Sequence, residues 1–169
     1  MVFNYYHRLS RPRQAIYRAS DRVQKVPISS PAQYQPVLQK LQTCLTQGDK
    51  KNLQLYADQF INRLAAQFAA PPLKVRVLAT RPSDTESELH GLYEPLEDDR
   101  KARITVWMRT AQHKRVVAYK TFCRTLLHEL CHHLDYEVLK LAESFHTEGF
   151  FMRESSMFKQ LHEQADDDN

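Results

Sequence analysis

The sequence has 169 residues, of which 42% are apolar and 26% charged, a composition typical of one globular domain. It contains no apolar run near the roughly 18 residues that would span a membrane, no secretory-signal pattern at its start and only three cysteines, so we expect a cytoplasmic protein without a disulfide framework or a membrane partner. The net charge is +4, and residues 1–30 hold six basic residues against one acidic residue.

Residues 1–30 are predicted to form a basic N-terminal arm ahead of a single domain at 31–169. A short helix is expected to begin near Pro12, and the stretch 27–31 has the proline-rich composition of a linker. Two interpretations stay open for the arm. It is either a solvated, partly ordered segment or a weak contact for the phosphates of DNA.

A helical part, 31–70, is predicted from two stretches with helical apolar spacing. The first helix covers 34–47, where Val37, Leu38 and Leu41 begin the apolar stripe and Gly48 provides the stop. The second covers about 51–69 and ends before two consecutive prolines at 71–72.

The catalytic part, 71–165, is expected to begin with three strands. Residues 73–78 alternate with period two, 89–93 do so more weakly, and 102–108 form a stronger third strand after a polar connection at 97–101 that suits a hairpin. Two positions are open for 102–108: an edge strand that binds a substrate main chain by strand addition, or an internal strand with Trp107 in the core.

Two further helices are predicted at about 117–141 and 154–164, followed by a frayed end at 166–169. The expected fold class is therefore α+β, with a small mixed or antiparallel sheet packed on an active-site helix and flanked by other helices.

The segment His128-Glu-Leu-Cys-His132 inside the first of these helices matches the pattern His-Glu-x-x-His. Residues four apart lie one above the other on a helix, so His128 and His132 can reach one metal ion. Glu129 lies about 100° further round the helix, where it can accept a proton from a water on that ion.

A catalytic zinc usually has three protein ligands, so a third is needed. A metzincin would have glycine and histidine where this chain has Asp135 and Val138, which excludes that class. The sequence offers Glu143, Glu148, Glu154 and His146 as third ligands. His146 is favoured because it follows the helix in a loop that can turn back to the metal.

The pattern His128-Glu-x-x-His132, thirteen residues, then His146-x-x-x-Phe150 resembles that of the SprT/Spartan-like zinc metalloproteases. This resemblance implies a minimal zincin fold, Zn²⁺ bound by His128, His132 and His146, Glu129 as general base, and proteins crosslinked to DNA as substrates. The chain departs from the family in having Thr147 where a glycine is usual and in lacking a Cys-x-x-Cys pair for a zinc ribbon. Compact relatives with the same core, such as ImmA-like proteases that cut repressors, stay open.

Several neighbouring residues have two interpretations. Asp135 either orients a ligating imidazole or is an ordinary surface carboxylate, and Cys131 is either a core residue or a redox-sensitive or alternative ligand. His133 points away from the ligand pair and is expected to pack. The candidates for stabilising an oxyanion are Tyr93, Tyr136, His90 and Arg153.

The predicted function is that of a zinc-dependent endopeptidase acting on proteins or peptides, with weak DNA contact through the arm. The alternative is a non-catalytic DNA-associated or regulatory binding protein with a structural zinc site. Glu129 separates the two, because a structural site has no use for an uncoordinated carboxylate beside its ligands.

Overall fold

A computed structural model of the chain describes residues 1–82 and 90–163. Within these ranges the chain forms five α-helices and a small three-stranded sheet, which confirms the predicted α+β class. The elements are α1 (Arg11–Asp21), α2 (Gln35–Gln47), α3 (Lys50–Gln67), β1 (Lys74–Thr80), β2 (Gly91–Glu94), β3 (Arg103–Arg109), α4 (Tyr119–Glu137) and α5 (Glu148–His162), with 3-10 helices at Asn4–Arg8 and Pro31–Tyr34. None of the helices in the described part is long and apolar enough to cross a membrane.

The sheet has the order β1-β3-β2 and is mixed. β3 runs parallel to β1 and forms the predicted hairpin with β2, in which Gly91 pairs with Val106 and Glu94 with Arg103. The edge-strand interpretation of 102–108 is therefore wrong, and Trp107 is buried as the internal interpretation predicts. β3 is central because nearly all its residues are apolar or small enough to be covered on both faces. β2 lies at an edge, next to α4.

The two helices of the helical part form as predicted and build the core beside β1. Gly48 ends α2 in the left-handed region, with φ of 69°, and the Asp49 side chain caps α3 by accepting a hydrogen bond from the Asn52 amide. α3 then packs against both α2 and β1, burying Phe60 and Leu64 completely.

α4 is shorter than the predicted 117–141 and lies between the sheet and α5. The chain leaves the helix after Glu137, where the Leu139 amide donates back to Leu134 and Lys140 takes a positive φ of 54°. This early end leaves ten residues, 138–147, as a connecting loop before α5.

α5 begins six residues before the predicted start at 154. Thr147 is the cause, because its hydroxyl accepts a hydrogen bond from the Phe150 amide and so caps the helix. The predicted helix end at 164, the frayed end at 166–169 and the first residue of the weak strand at 89 lie outside the described residues.

The N-terminal arm is folded onto α5 and the loop before it. A helix forms close to Pro12, as predicted, and its Tyr17 is fully buried against the rings of Tyr5, Tyr6 and Phe145. Much of the arm's aromatic content therefore packs against the chain itself.

Candidate metal centre

The structure brings His128, His132 and His146 together. The first two lie one turn apart on α4, and the third comes from the connecting loop. The Nε2 atom of His146 lies 3.1 Å from Nε2 of His128 and 3.0 Å from Nε2 of His132. In the described part of the chain, these three residues form a cluster with the spacing of a metal site.

The protonation of the rings fits a metal ion between them. Nδ1 of His128 donates to the Glu154 carboxylate at 2.9 Å, and Nδ1 of His132 donates to the Ser144 hydroxyl at 2.7 Å. With Nδ1 as the donor in both rings, Nε2 is the nitrogen left to face inward, toward Nε2 of His146. Nitrogens around a tetrahedral zinc are about 3.3 Å apart, since each bond is about 2.0–2.1 Å long. The observed separations are close to that value, so the three residues fit a metal.

Burial favours the neutral form of His132 and His146. It lowers the pKa of His132 to about 3, with further lowering from the neighbouring His128 and His146. The pKa of His146 is lowered too, mainly by burial. A neutral imidazole is the form that binds a metal, so both rings are ready to do so without first losing a proton.

The glutamates considered as third ligands are engaged elsewhere. Glu143 forms a bidentate ion pair with Arg13, and Glu148 accepts a hydrogen bond from the Met1 ammonium group. Glu154 accepts a hydrogen bond from Nδ1 of His128. Glu154 thus orients one ring of the cluster instead of joining it.

Asp135 orients a second ring of the cluster from a distance. It is fully buried, so its interpretation as a surface carboxylate is wrong. It accepts a 2.7 Å hydrogen bond from Ser144, which in turn accepts from His132. Sequence reasoning missed Ser144, because the hydroxyl reaches the site only through the return of the loop.

Glu129 lies beside the cluster as a separate acid. Glu129 is only 6% exposed, and this burial raises the pKa of its carboxyl group to about 7. The neighbouring His128 lowers that pKa, whereas Glu154 raises it further. Such a carboxyl group exchanges protons near neutral pH, which is the property that a general base and acid needs.

An open cleft of about 850 Å³ gives access to the cluster and to Glu129. It runs between the start of β2, α4 and α5, and apolar surface makes up most of its lining. The lining residues are His90, Gly91, Lys120, Thr121, Arg124, Thr125, His128, Glu129, His146, Phe151, Glu154 and Phe158. A cleft of this size admits a peptide-sized ligand.

The four oxyanion candidates take different positions. His90 lines the cleft, whereas Tyr93 donates its hydroxyl hydrogen to Nδ1 of His133. Arg153 is 1% exposed and binds Asp135, so it does not face the cleft. Tyr136 stacks on the ring of Tyr93.

The remaining candidates are structural. His133 is fully buried, as expected, and its Nε2 donates to the Pro71 carbonyl. Cys131 is fully buried outside the ligand cluster, and burial raises the pKa of its thiol, so the core interpretation is the one that fits.

No family model matches the chain, and comparisons with curated proteins and with solved structures gave no match either.

Proposed function

We propose that the chain is a zinc-dependent endopeptidase of the SprT/Spartan-like minimal zincin type. One observation carries the proposal: three imidazole nitrogens converge at the wall of an open cleft, and a buried carboxylate that is not part of the cluster lies beside them. A structural site closes around its metal and has no need of that carboxylate, whereas a hydrolytic site keeps a position open and needs a base.

His128, His132 and His146 would hold the metal. Imidazole suits several transition metals, and three nitrogen ligands with an open position are the pattern of catalytic zinc. When bound, zinc supplies polarisation of a carbonyl and acidifies water. Glu154 and Ser144 hold the rings of His128 and His132 so that Nε2 faces inward.

Glu129 would move the proton in the reaction. Its carboxylate accepts a proton from the attacking water and returns that proton to the leaving amine. The apolar lining of the cleft helps by keeping the carboxyl group poorly solvated.

The substrate main chain would bind along β2. This strand pairs with β3 on one side and has no partner strand on the other among the described residues. Its free amide and carbonyl groups can pair with an extended peptide by strand addition. Because Gly91 at the start of β2 borders the cleft, a peptide bound there would pass beside Glu129.

The test is Glu129→Gln assayed on an unfolded protein substrate such as casein, with zinc content measured on the same sample. We expect cleavage to fall at least 100-fold at unchanged zinc content, because the amide keeps the shape but cannot accept the proton. Glu137→Gln makes the same change at the end of the same helix, outside the cleft lining, and should cleave like the wild type. Equal cleavage by Glu129→Gln and wild type would contradict the mechanism.

Weak DNA contact through the N-terminal arm is a subsidiary proposal. Arg8, Arg11 and Lys25 are exposed on the arm, whereas Arg13 is paired with Glu143. The exposed cations can approach phosphates. The alternative function, a non-catalytic DNA-associated or regulatory binding protein with a structural zinc, would show this binding and no cleavage.

A further inference from the structure

The loop that carries His146 is bound on its outer side by the N-terminal arm. His146 differs from the other two histidines in lying outside regular secondary structure, so its position depends on what holds the loop. Two chains of polar contacts run from the arm to the histidine cluster, one from Tyr5 and one through Arg153.

The first contact reaches His146 directly. The Tyr5 hydroxyl donates a 2.8 Å hydrogen bond to the backbone carbonyl of His146. The ring of Tyr5 packs against Tyr17, and both rings lie close to that of Phe145, the residue before the ligand. Tyr17 is fully buried, so the aromatic support of Tyr5 is part of the core of the arm.

The second contact chain reaches His132 through Arg153. The guanidinium group of Arg153 donates to the Ser20 carbonyl of the arm at 2.6 Å and to the carboxylate of Asp135 at 2.8 Å. Asp135 accepts in turn from Ser144, the hydroxyl that holds Nδ1 of His132. The buried guanidinium group of Arg153 thus links the end of α1 to Asp135. Asp135 in turn orients the ring of His132 through the Ser144 hydroxyl group.

A close backbone approach fixes the arm at the same place. The Gly149 amide donates to the Asp21 side chain at 2.8 Å, and a Cβ added at Gly149 would lie 2.7 Å from the Asp21 carbonyl carbon. Glycine is therefore required in the first turn of α5 because the end of α1 lies against it.

We propose that the N-terminal arm is a clamp for the metal site, with Tyr5 and Arg153 as positioning residues for His146 and His132. The clamp holds the ligand loop against α4, so that all three nitrogens are in place before a metal arrives. A site organised in advance binds its metal more tightly and releases it more slowly than one that must order a loop. This inference rests on the metal-binding part of the proposed function and not on peptide cleavage.

The test measures zinc release from the full-length chain into a coloured chelator. Tyr5→Phe removes one hydroxyl from a ring that keeps its packing, so the fold is retained. We expect release about 10-fold faster than from the wild type, at the low end of the effects known for the partners of metal ligands. Tyr56→Phe removes the same atom from α3, where the Tyr56 ring contacts the Lys40 ammonium group, and should release zinc at the wild-type rate.

A double-mutant cycle separates positioning from general support of the fold. Tyr5 acts through His146, so in a His146→Ala background Tyr5→Phe should leave zinc affinity unchanged. An equal loss of affinity in both backgrounds would overturn the proposal, and so would a wild-type release rate for Tyr5→Phe alone. A zinc-loaded wild type that cleaves no peptide would contradict the proposed function while this test still decides on the clamp.

Cobalt(II) in place of zinc gives a spectroscopic signature for Arg153. Arg153→Lys keeps the positive charge beside Asp135 but loses the planar fork that binds the arm and the carboxylate together. We expect the visible absorption of bound cobalt(II) to shift, because the ring of His132 is reoriented. A spectrum identical to that of the wild type would overturn the role of Arg153.

Discussion

Gly91 at the start of β2 lies directly against Glu129 of α4. A Cβ at Gly91 would be 2.6 Å from Oε1 of the carboxylate and 2.8 Å from Cγ2 of Thr125, closer than real Cβ atoms approach. A side chain at residue 91 would therefore require the side chains of Glu129 and Thr125 to move. This contact couples the strand proposed to bind substrate to the residue proposed to move the proton.

The first prediction concerns Gly91→Ala. The added methyl group must displace the carboxylate of Glu129, so we expect cleavage to fall by at least 10-fold while zinc content stays at the wild-type level. The measurement is the specific activity on casein together with elemental analysis of the same preparation.

Gly48→Ala is the matched control for that variant. Gly48 has a positive φ and lies at the end of α2, so alanine there costs about 1 kcal/mol of stability without touching the site. Loss of activity in Gly48→Ala equal to that in Gly91→Ala would show that the effect is general destabilisation.

The second prediction concerns Glu154, which accepts from Nδ1 of His128. Glu154→Ala leaves that ring without its orienting partner, and we expect zinc affinity to fall by about 10–100-fold, measured by chelator competition. Glu154→Gln keeps an acceptor oxygen and should lose less. Glu163 is an exposed residue near the end of α5, and the control variant Glu163→Ala should bind zinc like the wild type. Wild-type zinc affinity in Glu154→Ala would contradict the role of Glu154 in orienting His128.

The third prediction concerns Thr147, the residue that caps α5. Thr147→Ala should lower the free energy of unfolding by about 1 kcal/mol, since the Phe150 amide loses its acceptor, whereas Thr147→Ser should keep most of the stability. Urea unfolding measures both. Thr46→Ala removes an exposed hydroxyl from α2 and should change stability by less than about 0.5 kcal/mol.

The fourth prediction concerns the exposed cations of the N-terminal arm. Any binding of duplex DNA should weaken steeply between about 50 and 200 mM salt, and glutamate at Arg8, Arg11 and Lys25 together should abolish it. Fluorescence anisotropy of labelled DNA gives the measurement, and zinc content should be unchanged. No affinity of the wild type at low salt would remove the DNA proposal.

The order of helices and strands in the domain could be predicted because periodicity reports which face of each element is buried. The pair on α4 could be predicted as well, since the helix itself fixes the spacing of His128 and His132. His146 was favoured by its place in the sequence, and the structure brings it to the pair.

The other features of the fold and of the site could not be predicted, because they depend on contacts between residues that are far apart in the sequence. The sequence offers Arg153 as an oxyanion candidate, but the helix that Thr147 begins turns its side chain inward to Asp135. The strand 102–108 gave no sign of its place in the sheet, since burial on both faces became visible only with β1 and β2 beside it. The contact of Tyr5 with His146 joins residues 141 positions apart, which no local pattern reports.

The most direct test of the account is the zinc content of wild type and His146→Ala, purified side by side and measured by elemental analysis. We expect one equivalent of zinc in the wild type and a clear loss in the variant, because only two ligands remain on α4. Full retention of zinc by His146→Ala, or a wild type that holds no zinc after incubation with it, would contradict the three-histidine site.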